Sequence, residues 1–176
     1  ILIIGGVAAG LKSAAKARRC DPRAQITVLE RGNLISYGAC GMPYVVAGDV
    51  PSIQNLLMTT AGAVRDPAYF KNTKNLDVRT GIEALSIDRA GKTVRVRDLG
   101  SGEESMLDYD KLVIATGATP VKLPLPGNQL ANIFQMWHPN DAKAVKERLE
   151  KGAVKNAVVM GAGLIGIEMA EAFHCW

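Results

Sequence analysis

Aromatic residues, cysteine and long apolar runs are all scarce in this sequence of 176 residues. Only 5% of the residues are aromatic, and the lysines and arginines form no block, which excludes the surface of a typical nucleic-acid-binding protein. The apolar runs are of strand length and are interrupted by glycine or charge, so none approaches the roughly 20 residues of a membrane-spanning helix. We therefore expect neither nucleic acid nor a membrane span.

The three cysteines, Cys20, Cys40 and Cys175, are an odd number at spacings that match no metal site. This pattern predicts no disulfide framework and no bound metal, and it favours a reducing, cytoplasmic compartment. Hydrophobic residues make up 48% of the chain and the net charge is only +4, which excludes a disordered protein and is compatible with small anionic ligands.

The chain begins with the pattern of a strand, a glycine turn, a helix and a second strand. Ile1 to Ile4 form an apolar run, residues 5–10 contain three glycines, and an Ala-rich helical pattern continues to about Arg19. The second strand, over residues 26–29, ends in Glu30. Because both strands are continuously apolar, we predict a buried parallel sheet and an α/β fold.

The middle of the sequence combines a long loop with short strands. After the loop-rich stretch 31–57, the sequence predicts a short helix over Pro67–Lys74, an antiparallel meander of three strands near 78–87, 93–98 and 104–107, and a buried strand over 111–116. Three prolines then mark a linker between domains, at positions 120, 124 and 126. Asn140 or Asp141 is predicted to cap a helix that runs to about Glu150.

A predicted strand over residues 157–160 enters a second glycine turn, with Gly161, Gly163 and Gly166, that opens another helix. In such a turn the first glycine allows the tight bend, the second lets a pyrophosphate approach the backbone, and the third lets helix and strand pack closely. Amides at the helix N-terminus then face the anion. The same glycines also fit close packing without any ligand.

The first glycine turn departs from this pattern. Gly5 and Gly10 match the first and third glycines, but Val7 occupies the second position. Glu30 follows Gly10 by 20 residues, at the end of the next strand, where a partner for a ribose hydroxyl belongs. We therefore predict two dinucleotide sites, which suggests two dinucleotides that exchange electrons.

Cys40 lies between the two turns, in a glycine-rich loop. Gly38 and Gly41 keep its thiol accessible, and a helix beginning near Pro43 would favour the thiolate form. We predict a redox role for Cys40, the alternative being the buried, inert cysteine that is common in proteins. Cys20 and Cys175 have no such setting, and we expect them to be inert.

These motifs together resemble the FAD-dependent pyridine nucleotide-disulfide oxidoreductases. The segment Ser36–Tyr44 resembles the single-cysteine branch with coenzyme A-disulfide reductases and NADH-dependent persulfide/polysulfide reductases. The dithiol branch carries a second cysteine where this chain has Val45. The NADH peroxidase and oxidase branch carries a histidine where this chain has Ala8.

The resemblance implies a division into domains. Residues 1–118 would form a Rossmann-like FAD-binding domain that includes the redox cysteine loop and the β-meander. Residues 119–150 would form a linker and helix, and residues 151–176 the start of a second Rossmann-like domain for NAD(P)H. We expect the sequence to be the N-terminal part of a longer protein, which the family would make a homodimer through a later domain.

The resemblance also implies roles for individual residues. The catalytic residue would be Cys40. The FAD contacts would be Gly5, Gly6, Val7, Ala8, Ala9, Gly10, Glu30, Arg31, Ala84, Thr116 and Gly117. The NAD(P)H contacts would be Gly161, Gly163, Ile165, Gly166 and Glu168.

Lys12, Lys16 and Arg19 are spaced to share one helix face. From spacing alone such a stripe is more typical of a solvated surface. The resemblance places Arg19, Ser36 and Lys74 at coenzyme A contacts, and Lys12, Lys16 and Ala39 at further contact positions where the residue types differ. The expected substrate is a CoA disulfide, a CoA persulfide or a polysulfide. The alternatives are an NADH oxidase or peroxidase, a flavin reductase serving a protein electron carrier, and a regulatory protein without turnover.

Overall fold

The computed structural model describes residues 1–152 and 154–176. The chain forms two compact units, of which the first contains residues 1–37 and 57–117 and the second contains residues 38–56 and 118–176. The predicted first domain, residues 1–118, differs from the first unit because residues 38–56 group with the second. None of the described helices has the length and apolar character needed to cross a membrane.

The elements follow one another as a Rossmann-like α/β chain. The strands are β1 Leu2–Ile4, β2 Thr27–Glu30, β3 Asp77–Thr80, β4 Ile82–Asp88, β5 Thr93–Asp98, β6 Glu104–Asp108 and β7 Leu112–Ile114. The helices are α1 Ala8–Cys20, α2 Met42–Ala47, α3 Pro67–Lys74, α4 Pro139–Glu150 and α5 Leu164–His174, with short 3₁₀ segments at Ala39–Gly41 and Ile53–Leu57. The predicted helix over Pro67–Lys74 is confirmed.

The first unit is built on a parallel sheet of strand order β3-β2-β1-β7. Strand residues alternate between its two faces, and both faces carry apolar residues because both are covered by other elements. One face packs on α1 and α3 through the buried residues Ile3, Val28, Val78, Leu11, Ala14 and Phe70. The other face packs on the antiparallel sheet β4-β5-β6 through Leu2, Leu29, Val94 and Val96. The predicted parallel sheet and β-meander are both present.

The predicted strand over 78–87 is wrong in one respect, because it is two strands in different sheets. β3 pairs with β2 in the parallel sheet, and β4 pairs with β5 in the meander. Gly81 stands between them with φ +71°, a conformation that favours glycine. The chain turns there from one sheet to the other, so a continuous strand cannot form.

Charged side chains shape the meander at its second turn. Asp98 accepts hydrogen bonds from the backbone N–H groups of Ser101 and Gly100, which lower the pKa of its carboxyl. Glu104 accepts from the Arg97 guanidinium at 2.7 Å, which lowers the pKa of Glu104. These bonds stabilise the β5–β6 hairpin that covers one face of the parallel sheet.

The second unit is helical. α2 packs against both α4 and α5. The buried residues of these helices are Met42, Pro43, Val45, Val46, Pro139, Ala142, Val145, Met169 and Ala172. The short helix α2, which begins two residues after Cys40, therefore packs against the two longer helices α4 and α5.

The predicted strand over 157–160 is not formed. A strand needs a hydrogen-bonded partner, and among the described residues the two sheets contain only β1 to β7. Val158 and Met160 are accordingly exposed, by 90% and 75%. The apolar pattern indicates strand propensity here, but the described part of the chain supplies no neighbouring strand.

The predicted cap of α4 is also corrected. The N-cap is His138, whose Nδ1 accepts from the Asn140 N–H at 3.2 Å, and the helix begins at Pro139. Asp141 lies in the first turn, where its carboxylate accepts from the His138 N–H at 2.7 Å and from the Trp137 N–H at 3.1 Å. The sequence pattern does not indicate this cap, because histidine is an unusual N-cap residue.

We expect His138→Ala to lower the free energy of unfolding by about 1 kcal/mol, because the N–H of Asn140 loses its acceptor. His138→Asp should retain most of the stability, since a carboxylate at the N-cap accepts the same bond. Urea denaturation followed by circular dichroism measures both. Equal stability of the alanine variant and the wild type would show that this cap does not stabilise α4.

Candidate functional site

In a sheet of this kind ligands bind at the carboxyl ends of the parallel strands, and here these ends carry the predicted motif residues. The chain continues from β1 to β2 and β3 on one side, whereas β7 pairs with β1 on the other side. Ligands of open α/β sheets bind at such a reversal of strand order. Gly5, Glu30 and Ala115 directly follow or end β1, β2 and β7 at this edge.

Glycine is required at this edge by close backbone contacts. Gly5 has φ +116°, and a Cβ at this position would overlap the Ala115 carbonyl oxygen. A Cβ at Gly10 would overlap the Gly5 carbonyl oxygen, so α1 can pack on the turn only without a side chain there. The predicted roles of Gly5 in the bend and of Gly10 in close packing agree with this geometry.

Glu30 is half-buried and is held by two backbone groups. Its Oε2 accepts from the Gly6 N–H and its Oε1 accepts from the Gly32 N–H, both at 2.8 Å. Because each carboxylate oxygen has a second lone pair, the fixed carboxylate can still accept a hydroxyl hydrogen. Gly32 was not predicted, although a glycine two residues after an acid at a strand end is a usable signal.

The N-terminus of α1 has no side-chain cap. Its N-cap is Val7, no acidic residue lies in its first turn, and Ala8 and Ala9 are exposed. In contrast, α3 is capped by Asp66, which accepts from the Tyr69 N–H at 2.7 Å. The first N–H groups of a helix have no intrahelical acceptor and carry partial positive charge, so α1 presents a site suited to an anion.

The second glycine turn repeats this geometry. Gly161 has φ +114°, and a Cβ at Gly166 would overlap the Gly161 carbonyl oxygen, as at the first turn. A Cβ at Gly163 would have open space around it, so backbone contacts do not require glycine there. Gly163 is the N-cap of α5 and makes no side-chain cap, while Ile165 and Glu168 lie exposed on that helix.

The remaining predicted cofactor residues lie near the first turn or on the meander. Arg31 is exposed and pairs with Glu83 at 3.8 Å. Ala84 is half-buried in β4, beside an irregularity in the pairing with β5. Thr116 and Gly117 are exposed after β7, and Gly117 has φ +73°.

Cys40 is exposed in the 3₁₀ segment that leads into α2. The predicted helix near Pro43 is confirmed, since α2 begins at Met42. The loop is closed at its base, where the Gly38 N–H donates to the Leu56 carbonyl at 2.9 Å. A Cβ at Gly41 would lie 2.5 Å from Leu56 Cδ2, so the tight closure favours glycine beside the cysteine.

Exposure does not distinguish Cys40 from the other cysteines. Cys20 ends α1 and Cys175 follows α5, and both are exposed, so the buried setting of typical inert cysteines is absent. What is particular to Cys40 is the closed loop and the helix that follows it. Val45, the position of the second cysteine in the dithiol branch, is buried within α2.

The predicted substrate residues are divided between the units. Lys12, Lys16 and Arg19 are exposed on α1, and Lys74 is exposed in the last turn of α3, which covers the same face of the sheet. Ser36 has φ +53° and donates its backbone N–H to the Gly6 carbonyl at 3.0 Å. These five residues belong to the first unit, whereas Ala39 and Cys40 belong to the second.

Comparison with known proteins gives a consistent result. The family model described as pyridine nucleotide-disulphide oxidoreductase matches residues 1–175. Enzymes of this family bind FAD and NAD(P)H.

Individual relatives resemble nearly the whole chain. The structure of an NAD-dependent persulfide reductase from A. fulgidus is 49% identical, with a TM-score of 0.94, over 99% of this chain and 32% of that one. An NAD(P)H coenzyme A polysulfide/persulfide reductase of Pyrococcus horikoshii is 38% identical over 98% of this chain and 36% of its own length. An NADH oxidase of Methanocaldococcus jannaschii is 33% identical over 99% of this chain and 37% of its own. The chain thus spans about a third of the length of these relatives.

The glycine geometry leads to a prediction. We expect Gly10→Ala and Gly166→Ala each to lower the free energy of unfolding by about 1–3 kcal/mol, because each new methyl group overlaps a backbone carbonyl. Gly163→Ala serves as the matched control and should leave stability within about 0.5 kcal/mol of wild type, since its methyl group meets open space. Urea denaturation measures all three, and a Gly163→Ala loss as large as the others would contradict this geometry.

Proposed function

This chain belongs to the pyridine nucleotide-disulphide oxidoreductase family, and we propose that its protein reduces a CoA disulfide, a CoA persulfide or a polysulfide with NAD(P)H through Cys40. The observation that carries the proposal is an exposed, single cysteine in a closed loop, in a chain with two glycine turns of matching geometry. The names of the persulfide and polysulfide reductases among its relatives support the sulfur substrate.

The residues at the carboxyl edge of the first unit fit FAD. Glycine is required at positions 5 and 10, because a Cβ at either position would overlap a backbone carbonyl. The backbone beside the uncapped N-terminus of α1 therefore carries no side chain at these two positions, which suits a pyrophosphate. The fixed carboxylate of Glu30 would accept from the ribose, with Gly6, Val7, Ala8, Ala9, Arg31, Ala84, Thr116 and Gly117 as further contacts. When bound, FAD supplies two-electron transfer between NAD(P)H and sulfur.

The second glycine turn fits the pyridine nucleotide. The space beside Gly163 and the uncapped N-terminus of α5 together leave room and partial positive charge for a second pyrophosphate. Gly161 and Gly166 would shape the turn, and Ile165 and Glu168 would lie beside the nucleotide. Residues 151–176 are on this proposal the beginning of the NAD(P)H-binding domain, and residues 1–118 the FAD-binding domain.

Cys40 performs the sulfur chemistry on this proposal. Its thiolate attacks one sulfur of the CoA disulfide, forms a Cys40–CoA mixed disulfide and releases one CoA thiolate. Two electrons that originate from NAD(P)H then cleave the mixed disulfide, which releases the second CoA and restores the Cys40 thiolate. With a persulfide or polysulfide, the same attack transfers the terminal sulfur, and the same two electrons release it as sulfide.

The cations on α1 and α3 support a CoA substrate. Lys12, Lys16, Arg19 and Lys74 are exposed and form no ion pair among the described residues. Such unpaired charges on one face of the unit suit the pyrophosphate and the 3′-phosphate of CoA. Ser36 and Ala39 complete the proposed contacts.

An NADH oxidase is the second candidate function. It is favoured by the name of the relative from Methanocaldococcus jannaschii. Against it stands Ala8, where the resemblance places a histidine in the peroxidase and oxidase branch, and the two histidines of this chain are His138 and His174. Comparing oxygen consumption with sulfur reduction distinguishes the two functions.

Assembly and location follow from the same proposal. The family resemblance supports a homodimer, built through a domain outside this sequence. Three free cysteines, Cys20, Cys40 and Cys175, support a reducing, cytoplasmic compartment.

We expect Cys40→Ser in the full-length protein to reduce NAD(P)H-dependent turnover of CoA disulfide and polysulfide by at least about a thousandfold, because no thiolate remains to form the mixed disulfide. Cys20→Ser and Cys175→Ser are matched controls, since both cysteines are also exposed. NAD(P)H oxidation with each substrate is followed by absorbance. Sulfur reduction that survives in Cys40→Ser would instead support a flavin reductase that serves a protein electron carrier.

The cationic stripe gives a separate prediction. Replacing both Lys12 and Lys16 by Gln should raise KM for CoA disulfide roughly three- to tenfold while leaving KM for inorganic polysulfide unchanged, because only CoA carries the phosphates. The effect should shrink at high ionic strength.

Arg89→Gln, an exposed cation on the β4–β5 turn, is the control. A change of the same size for both substrates would assign the lysines to general stability instead of CoA binding.

A further inference from the structure

We propose that Lys146 and Trp176 are positioning residues for Cys40, which hold the loop and helix around it from the far side. This inference rests on the proposed function, because it concerns the cysteine that the proposed reaction uses. All the residues involved lie in the second unit. They belong to neither glycine turn nor to the proposed substrate contacts.

The loop that carries Cys40, residues 38–56, has backbone hydrogen bonds at its base and at the end of α2. The Gly38 N–H bonds to the Leu56 carbonyl, and α2 occupies the first half of the loop. α2 has only six residues, so most of its carbonyls belong to its last turn and have no intrahelical donor. The C-cap, Gly48, has φ +97° and returns its N–H to the Tyr44 carbonyl at 3.2 Å.

Trp176 supplies one of the missing donors. Its indole Nε1–H donates to the Val46 carbonyl at 2.8 Å, in the last turn of α2. Trp176 follows α5, the helix that opens at the second glycine turn, and α5 packs on α2. The bond therefore joins the helix of the proposed NAD(P)H site to the helix that follows Cys40.

Lys146 holds the segment directly after α2. Its Nζ donates to the Pro51 carbonyl at 2.8 Å and contacts the Val50 carbonyl at 3.5 Å. Lys146 is half-buried on α4, which also packs on α2, and it makes no ion pair among the described residues. Because its ammonium donates to two loop carbonyls and not to a carboxylate, Lys146 fixes the backbone of this segment.

The two contacts restrain the second half of the segment between Cys40 and the second 3₁₀ segment, at Val46 in the last turn of α2 and at Pro51 after it. Without them, α2 would keep its buried side but its last turn and the following backbone would have unpaired carbonyls and more freedom. A displacement of about 1 Å in a reacting group is enough to slow a reaction strongly. Lys146 and Trp176 would thus act on the position of the Cys40 thiolate without touching substrate or cofactor.

The test uses two activities of the full-length protein with its cofactors. One is the NAD(P)H-dependent reduction of CoA disulfide, which needs Cys40 on this proposal. The other is the NAD(P)H-dependent reduction of ferricyanide, an artificial electron acceptor that needs no thiol. A defect confined to Cys40 lowers the first activity alone, whereas a defect in folding or in cofactor binding lowers both.

We expect Lys146→Met to lower the ratio of CoA disulfide reduction to ferricyanide reduction about tenfold through kcat, with KM for NAD(P)H unchanged. Lys146→Arg should restore most of the ratio, because a guanidinium also donates to carbonyls. Trp176→Phe keeps the ring, removes only the N–H donor and should lower the ratio in the same direction. Lys143→Met is the matched control, because Lys143 is exposed on the same helix and pairs with Glu147.

Each result decides between the alternatives. A ratio in Lys146→Met and Trp176→Phe equal to that of Lys143→Met, or a parallel fall of both activities, would overturn the positioning role. Such a result would leave the proposed function intact if Cys40→Ser still lost CoA disulfide reduction. Retention of that reduction in Cys40→Ser would overturn the proposed function itself.

Discussion

The absence of a Cβ at the edge of the parallel sheet is the constraint on which the first unit depends. Gly10 lies against the Gly5 carbonyl, and Gly5 lies against the Ala115 carbonyl, so helix, turn and the end of β7 meet backbone to backbone. Beside this contact α1 begins without a side-chain cap, because Val7 is its N-cap, and the Glu30 carboxylate accepts from the Gly6 N–H. The two features on which the proposed FAD site depends, an uncapped helix N-terminus and a fixed carboxylate, are thus present in the packing of this edge.

The second glycine turn shows which glycines are required by backbone packing and which are not. Gly161 and Gly166 repeat the contact between Gly5 and Gly10, so these positions are explained by the backbone alone. Gly163 has no neighbour that requires glycine, and Val7 occupies the same place in the first turn. At the middle position of the motif the backbone therefore leaves room for a side chain, and packing does not account for the glycine at position 163.

The sequence pattern predicted those helix boundaries that depend only on residues close together in the chain. The helix over Pro67–Lys74, the end of α1 near Arg19 and the beginning of α2 near Pro43 depend on capping, proline and periodicity, which are visible in a single sequence. Features that depend on a distant partner were not predictable in the same way. The predicted strand near 78–87 divides at Gly81 because its first part pairs in the parallel sheet and its second part pairs in the antiparallel sheet. Residues 157–160 stay unpaired because a strand needs a neighbouring strand, and none of the described strands pairs with them.

The residues of the candidate site also differ in whether a sequence pattern predicts them or a distant contact determines them. Glycine spacing and Glu30 predicted the two nucleotide turns, and Gly32 follows Glu30 closely enough to have been predicted with them. The contacts of the cysteine loop with Lys146 and Trp176, in contrast, join residues that are far apart in sequence and follow no pattern. All three cysteines are exposed, so accessibility alone gives Cys40 no advantage over Cys20 or Cys175. Cys40 differs in its surroundings, because its loop is closed at the base by Gly38 and Leu56 and the helix that follows packs on α4 and α5. A reactive thiol needs a defined position as well as access, and on the proposed function these contacts would supply that position for Cys40.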